Sequence, residues 1–262
     1  MSEPMHQNPT PETDAASVSP EAAAATPAAA PGTPAAPVEY AIRTEDLWRI
    51  YIIGAHQEVP AVRGINLAIE SCTFVALKGR SGSGKTTLLN CLGGLDAPTR
   101  GSIYIFGQDI SKLKGEQLTR WRRKEIGFIF QSFGLLPTLS AYENVELALR
   151  ISNRPGRELR ERTMASLEMV GLKKWIHHRP YEMSGGQQQR VAIARALVNQ
   201  PKLILADEPT GELDSITARE IFGFFQEITR DAKVTLLVSS HDQLVDEYAH
   251  RILQLRDGQI VN

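Results

Sequence analysis

The sequence predicts an α/β fold built on a mixed, largely parallel sheet with flanking helices, and two observations carry that prediction. Five short runs, residues 74–78, 103–106, 126–130, 203–207 and 234–239, are apolar at nearly every position, the mark of strands covered on both faces. Helix-forming segments lie between them, Gln188-Gln189-Arg190-Val191-Ala192-Ile193-Ala194-Arg195-Ala196-Leu197 among them, the pattern of the α/β class. A chain of 262 residues with 42% hydrophobic content suits one large domain, or a domain with a subdomain, around a sizeable core.

From the N-terminus, residues 1–38 are Ala, Pro, Thr and Ser with almost no large apolar side chains. Such a segment buries too little surface to offset the entropy of ordering it, so a disordered tail is expected, with a docking or tethering arm as the alternative. Residues 39–262 are expected to form the folded domain. Within it, the stretch 116–179 is mostly helical in pattern and rich in charge, and Leu159, Met164, Leu167 and Val170 recur at helical spacing ahead of Gly171, placed as a stop. This predicts a helical subdomain inserted into the α/β core. The closing residues 251–261 read as a hairpin turned at Asp257-Gly258.

Charge and cysteine content narrow the function. Residues 1–39 hold five acids (Glu3, Glu12, Asp14, Glu21, Glu39) and no Lys or Arg, so all 29 basic residues and 25 of the 30 acids lie beyond them. That mild positive balance suits a nucleotide polyanion and does not call for nucleic acid. The two cysteines, Cys72 and Cys91, stand in no metal-ligand spacing, so neither a disulfide framework nor a structural zinc is expected, and a reducing cytosol fits. No apolar run approaches the roughly 20 residues needed to span a bilayer. The N-terminus has neither the basic start nor the apolar stretch of a secretory signal, so the chain is expected neither to cross a membrane nor to be exported.

Gly79-Arg80-Ser81-Gly82-Ser83-Gly84-Lys85-Thr86 follows the run 74–78 and precedes the helical run that opens at Thr87. Glycines let successive backbone N–H groups curl around phosphates, and the helix N-terminus adds a favourable dipole. Lys85 then supplies charge to the β/γ-phosphates and Thr86 offers a hydroxyl to Mg²⁺. The run 203–207 ends in Asp207-Glu208, and strand ends of a parallel sheet converge on the ligand crevice. Adjacent side chains point in different directions, so Asp207 is assigned to Mg²⁺ and Glu208 to the attacking water.

A second anion site precedes another helix, at Ser184-Gly185-Gly186-Gln187. A Ser hydroxyl and two glycine N–H groups at a helix start bind an anion in the same way. One triphosphate does not need two such sites. Either the second serves another ligand, or two chains share two nucleotides.

With these motifs in hand, the sequence resembles the nucleotide-binding subunits of ABC transporters over residues 40–262. The features follow that family's order: the phosphate loop, Gln131 after a strand, Ser184 to Gln187, Asp207-Glu208, Leu213-Asp214 and His241. The resemblance implies a P-loop NTPase core with an antiparallel β part, ATP and Mg²⁺ as cofactors, and a homodimer that closes around two Mg-ATP. It implies that Tyr51 stacks on adenine, that Thr87 and Asp214 join the nucleotide contacts, that Gln131 senses Mg²⁺ and water, and that His241 contacts the γ-phosphate. Read from the residues alone, Tyr51 also fits a core aromatic, Gln131 a solvated loop residue and His241 a helix cap.

Residues 130–137, 143–145, 206–211 and 213–215 are similar to the branch serving lipoprotein-releasing and macrolide-export permeases, which includes subunits paired with regulators of cell-wall enzymes. The implied function is ATP hydrolysis powering a separate FtsX-like permease, with the subunit held at the inner face of the cell membrane. The alternative is mechanical signalling through a permease-like partner that moves no substrate. A nucleic-acid role is not expected, since the sequence carries neither a long coiled coil nor a second ATP-binding domain. Phe133, Leu135 and Leu136 are expected to form an exposed docking surface for the permease, a self-buried loop being the alternative. Three positions depart from the family's habit or vary within it: Met183 stands where Leu is frequent, Cys72 where a turn often has Gly, and Glu212 carries no assigned role.

Overall fold

The computed structural model of the protein describes residues 39–54 and 56–261. The segment expected as a tail, residues 1–38, lies outside the described residues. In chain order the elements are β1 (Tyr40–Ile53), β2 (Gln57–Glu70), β3 (Phe74–Lys78), α1 (Lys85–Leu92), β4 (Arg100–Ile105), β5 (Gln108–Asp109), α2 (Gly115–Glu125) and β6 (Ile126–Ile129). There follow α3 (Ala141–Ile151), α4 (Gly156–Met169), α5 (Gly185–Leu197), β7 (Leu203–Asp207), α6 (Ser215–Asp231), β8 (Thr235–Ser239), β9 (Arg251–Arg256) and β10 (Gln259–Val261). The strands make two sheets, of order β2-β1-β4-β5 and β10-β9-β3-β8-β7-β6. The first is antiparallel, and the second is parallel except for its terminal β9–β10 hairpin.

The unbroken apolar runs have a direct cause. Phe74, Ala76, Ile204, Ala206, Leu236 and Val238 face a core shared with α3, α4, α5 and α6, through residues such as Val145, Leu167, Val191 and Phe222. Val75, Leu77, Leu203, Leu205 and Leu237 face a second core, shared with α1, α2 and the antiparallel sheet through Leu88, Trp121, Ile42 and Ile103. Successive side chains alternate between faces, so a sheet covered on both sides needs apolar residues at every position.

The antiparallel pair β1–β2 was not among the runs that the sequence marked. Its register shifts between Thr44 and Leu47, Leu47 and Arg49, and Arg49 and Ile50, which breaks the period of two on which recognition of a strand depends. Pro60 sits within β2, tolerated because β2 is an edge strand.

The stretch 116–179 differs from the mostly helical expectation in one respect. Between α2 and α3 it adds β6 to the edge of the parallel sheet, paired with β7. In α4, Leu159 and Leu167 are buried, as is Val170 just beyond it, while Met164 is half-buried, and Gly171 ends the helix at φ +76. The hairpin turns at Asp257 (φ 48) and Gly258 (φ 78), the two left-handed residues a tight turn between twisted strands requires. Cys72 is also left-handed (φ 57), and its N–H donates to Thr235 Oγ1 at 3.0 Å, which ties that turn to β8.

Candidate functional site

The loop from Gly79 to Gly84 is fixed from outside as well as by its own sequence. A Cβ at residue 79 would stand 2.4 Å from the Leu255 carbonyl oxygen. Gly84 adopts φ +103, and a Cβ there would stand 2.3 Å from the Ala61 carbonyl oxygen. Neither position accepts a side chain without moving backbone. The Gly258 N–H donates to the Ser83 carbonyl at 3.0 Å, and the Arg63 N–H to the Gly258 carbonyl at 2.8 Å, so β2 and the β9–β10 turn clamp the loop. Gly84→Ala is therefore expected to destabilise the fold by about 1–3 kcal/mol, read as a lower urea midpoint. An unchanged midpoint would mean that the loop is free to shift.

Lys85 opens α1 and is buried, its Nζ donating to the carbonyls of Gly79 (3.0 Å) and Arg80 (3.4 Å). The same Nζ lies 3.4 Å from Glu208 Oε1. Thr86 Oγ1 donates to Asp207 Oδ2 at 2.7 Å. Ser239 closes the other side of Asp207, its hydroxyl donating to Oδ1. Parallel pairing puts Asp207 opposite Ser239, so the carboxylate is set by two strand ends and the first turn of a helix.

Glu208 leaves the strand in the left-handed region (φ 47), with its N–H donating to Ser239 O at 3.0 Å and Oγ at 3.1 Å. That turn sends its side chain away from Asp207's. Its carboxylate meets Lys85 on one oxygen and His241 Nδ1 on the other.

Ser81, Gly82, Gly84, Lys85, Thr86 and Thr87 line a cleft of about 570 Å³ together with Gln131, Glu208 and His241. Gly79, Arg80 and Ser83 line the adjoining recess of about 900 Å³, walled by the β9–β10 hairpin.

The remaining sequence-predicted residues stand elsewhere. Ser184 is the N-cap of α5: its hydroxyl accepts from the Gln187 N–H, and the Gln187 side chain accepts from the Ser184 N–H. Asp214 caps α6, accepting from the N–H groups of Ile216 and Thr217 at 3.0 Å each and from the Thr217 hydroxyl at 2.8 Å. Those bonds, the Thr217 N–H foremost, hold its carboxyl below the usual range. Gly186 packs on Thr217 and Gly185 on Leu213, so the turn at Ser184 to Gln187 and the α6 cap form one unit. Neither Ser184, Gly185, Gly186, Gln187 nor Asp214 lines the phosphate-loop cleft. Tyr51 does not line it either: on β1, its hydroxyl donates to Asp96 Oδ2 at 2.6 Å.

Among the residues with structural claims on the site that went unassigned in the sequence, two support the cleft and the loop beside it. Ser239 is one, legible only once β7 and β8 are paired. Arg195 is the other, a lone charge in the apolar run of α5, whose guanidinium donates to the carbonyls of Phe133 (2.9 Å) and Gly134. Those bonds correct the expectation of a wholly exposed loop after Gln131. Phe133 is buried and Leu135 is half-buried against the core, leaving Leu136 exposed.

Comparison with known proteins matches this arrangement. The family model described as ABC transporter matches residues 62–211. An uncharacterised ABC transporter ATP-binding protein of Thermotoga maritima is 46% identical over 215 residues, 82% of this chain and 91% of that protein. The macrolide export ATP-binding/permease protein MacB of Syntrophobacter fumaroxidans is 46% identical over 224 residues, 84% of this chain but only 31% of MacB's own length. The dimeric, post-hydrolysis structure of the ATP-binding cassette MJ0796 with ADP and Pi, a protein of Methanocaldococcus jannaschii, superposes with a TM-score of 0.78 at 41% identity, covering 84% of this chain and 97% of that one. The chain belongs to the ABC transporter family, as an ATP-binding subunit that hydrolyses ATP.

Proposed function

We propose that two copies of this chain close around two Mg-ATP and that closure drives a separate FtsX-like membrane permease, in export or in extraction of lipoprotein or lipid. The carrying observation is the separation, in one chain, of the Gly79–Thr86 loop from the helix start at Ser184. Ser184 to Gln187 do not line the cleft that the Gly79–Thr86 loop lines, which supports the reading that the turn at Ser184 serves the nucleotide of a second copy. Tyr51 stacks on the adenine, the loop residues with Thr87 hold the phosphates, and Asp214, which also holds Thr217 against Gly186, joins the nucleotide contacts of the second copy.

Glu208 acts as the base. Its carboxylate is held between Lys85 and His241; a triphosphate that draws Lys85 to its oxygens and His241 to its γ-phosphate frees Glu208 for water, which Gln131, lining the same cleft, orients. Thr86 Oγ1 and Asp207 Oδ2, 2.7 Å apart, are an oxygen pair suited to Mg²⁺, which takes one or two protein oxygens beside phosphate and water. Thr86, Asp207 and Gln131 would hold the ion, whose charge would offset that on the β/γ-oxygens of the nucleotide.

No helix among the described residues is long and apolar enough to cross a membrane, so attachment to the inner face of the cell membrane falls to the permease. An apolar recess of about 290 Å³ between Leu95, Phe128 and Phe130 backs directly onto Thr86 and Asp207. With exposed Leu136 nearby in sequence, it supports docking of a permease helix where its movement is felt by the metal ligands.

The test is ATP-driven association. In a Glu208→Gln background, ATP is expected to convert monomer to dimer in size-exclusion chromatography, and adding Ser184→Arg is expected to leave ATP bound to a monomer. A Glu208→Gln chain that stays monomeric with ATP, or a Ser184→Arg chain that dimerises as well as its parent, removes the shared-site arrangement.

A further inference from the structure

We infer that Arg49 and Asp96 are positioning residues for the nucleobase: they hold the Tyr51 ring with one face closed, so that the base stacks on the other. The inference rests on the reading of Tyr51 as the adenine platform and deepens it.

Arg49 and Tyr51 are two residues apart on β1, and the Arg49 guanidinium stands 4.5 Å from the centroid of the Tyr51 ring. Arg49 also grips Asp96 with both ends of its fork, Nε on Oδ2 at 2.9 Å and Nη2 on Oδ1 at 2.7 Å. The Tyr51 hydroxyl donates to that same Oδ2 at 2.6 Å. The guanidinium thus fixes the plane of the ring and the hydroxyl fixes its tilt, a planar two-point grip that Arg alone supplies.

The pair is no loose surface contact, since the side chains are only 24% and 22% exposed. Burial works against the charge of Arg49, and its bond with Tyr51 and the attraction of Asp96 outweigh that, raising its pKa. Burial and the bond to Asp96 likewise push the Tyr51 phenol up, so the hydroxyl keeps the proton it donates.

Asp96 is tied in turn to the helix that serves the phosphates. Its N–H and that of Leu95 donate to the Asn90 carbonyl, at 3.1 and 2.8 Å, and Asn90 lies on α1, whose first residues are Lys85 and Thr86. One helix therefore references both ends of one ligand, the triphosphate through its N-terminus and the base through Asp96. A ring already held in place loses little freedom when the base arrives.

Titration calorimetry with ATP and with inorganic tripolyphosphate separates the base from the phosphates. Tyr51→Ala is expected to weaken ATP about 10-fold or more and Arg49→Met about 3- to 10-fold, both leaving tripolyphosphate unchanged. The double variant is expected to bind ATP no more weakly than Tyr51→Ala alone, because Arg49 acts through the ring. Asp96→Asn, which keeps the shape and an acceptor for Tyr51 but releases Arg49, repeats the measurement if Arg49→Met does not fold. The inference is overturned if Arg49→Met weakens tripolyphosphate as much as ATP, if its effect adds fully to that of Tyr51→Ala, or if it leaves ATP unchanged while Tyr51→Ala weakens it. Unchanged ATP affinity in Tyr51→Ala removes the adenine platform itself, and this inference with it.

Discussion

Glu208→Gln is expected to slow ATP hydrolysis by about 10²- to 10⁴-fold, the span that one positioned general base contributes, while ATP still binds. The change is nearly isosteric, and what holds residue 208 in place is its backbone: the N–H bonds to Ser239 O and Oγ survive any side chain. An amide keeps hydrogen-bonding contact with His241 and Lys85 but does not accept a proton from water. Loss of rate is therefore expected without loss of fold, and the ATP-bound dimer should accumulate because the step that reopens it is blocked. Steady-state phosphate release, nucleotide binding and size-exclusion chromatography read the three parts separately. Turnover within a few-fold of the parent would remove Glu208 as the base and shift attention to His241, which reaches the same cleft.

How much of this was legible in the sequence depended on whether local pattern or tertiary packing decided each element. β3 and β7 were marked at their observed bounds, because burial on both faces leaves no polar position to confuse the reading. β1 and β2 were missed, since register shifts scatter their alternation. At the site, the phosphate loop and the Asp207-Glu208 pair announce themselves because backbone chemistry demands those residues at that spacing. Ser239 and Asp96 do not, because each acts on a partner brought close only by folding: Asp207 through strand pairing, Tyr51 from 45 positions away. Phe133 shows the opposite error. An apolar residue in a loop reads equally as an exposed docking residue or as a self-buried one, and only the distant Arg195, holding the Phe133 and Gly134 carbonyls, explains how that segment turns inward.

Lys85→Ala is expected to weaken ATP by about 10- to 100-fold, the worth of losing charge-assisted hydrogen bonds to phosphate, and to weaken tripolyphosphate by the same factor. That second measurement separates Lys85 from Tyr51, since a side chain that serves only the phosphates does not distinguish a ligand with a base from one without. The fold should survive: the Gly79 and Arg80 carbonyls that lose their donor border the open cleft and recess, where water replaces it. Glu208 keeps its contact with His241, so the carboxylate is not left alone. Arginine is no remedy, because the ammonium is a compact point charge fitted to two carbonyls and the Glu208 carboxylate, contacts that a planar fork does not reproduce. Lys85→Arg should therefore bind as poorly as Lys85→Ala. Unchanged affinity for both ligands in Lys85→Ala would overturn the assignment of the loop as the phosphate site, and loss for ATP alone would move Lys85 to the base end of the nucleotide.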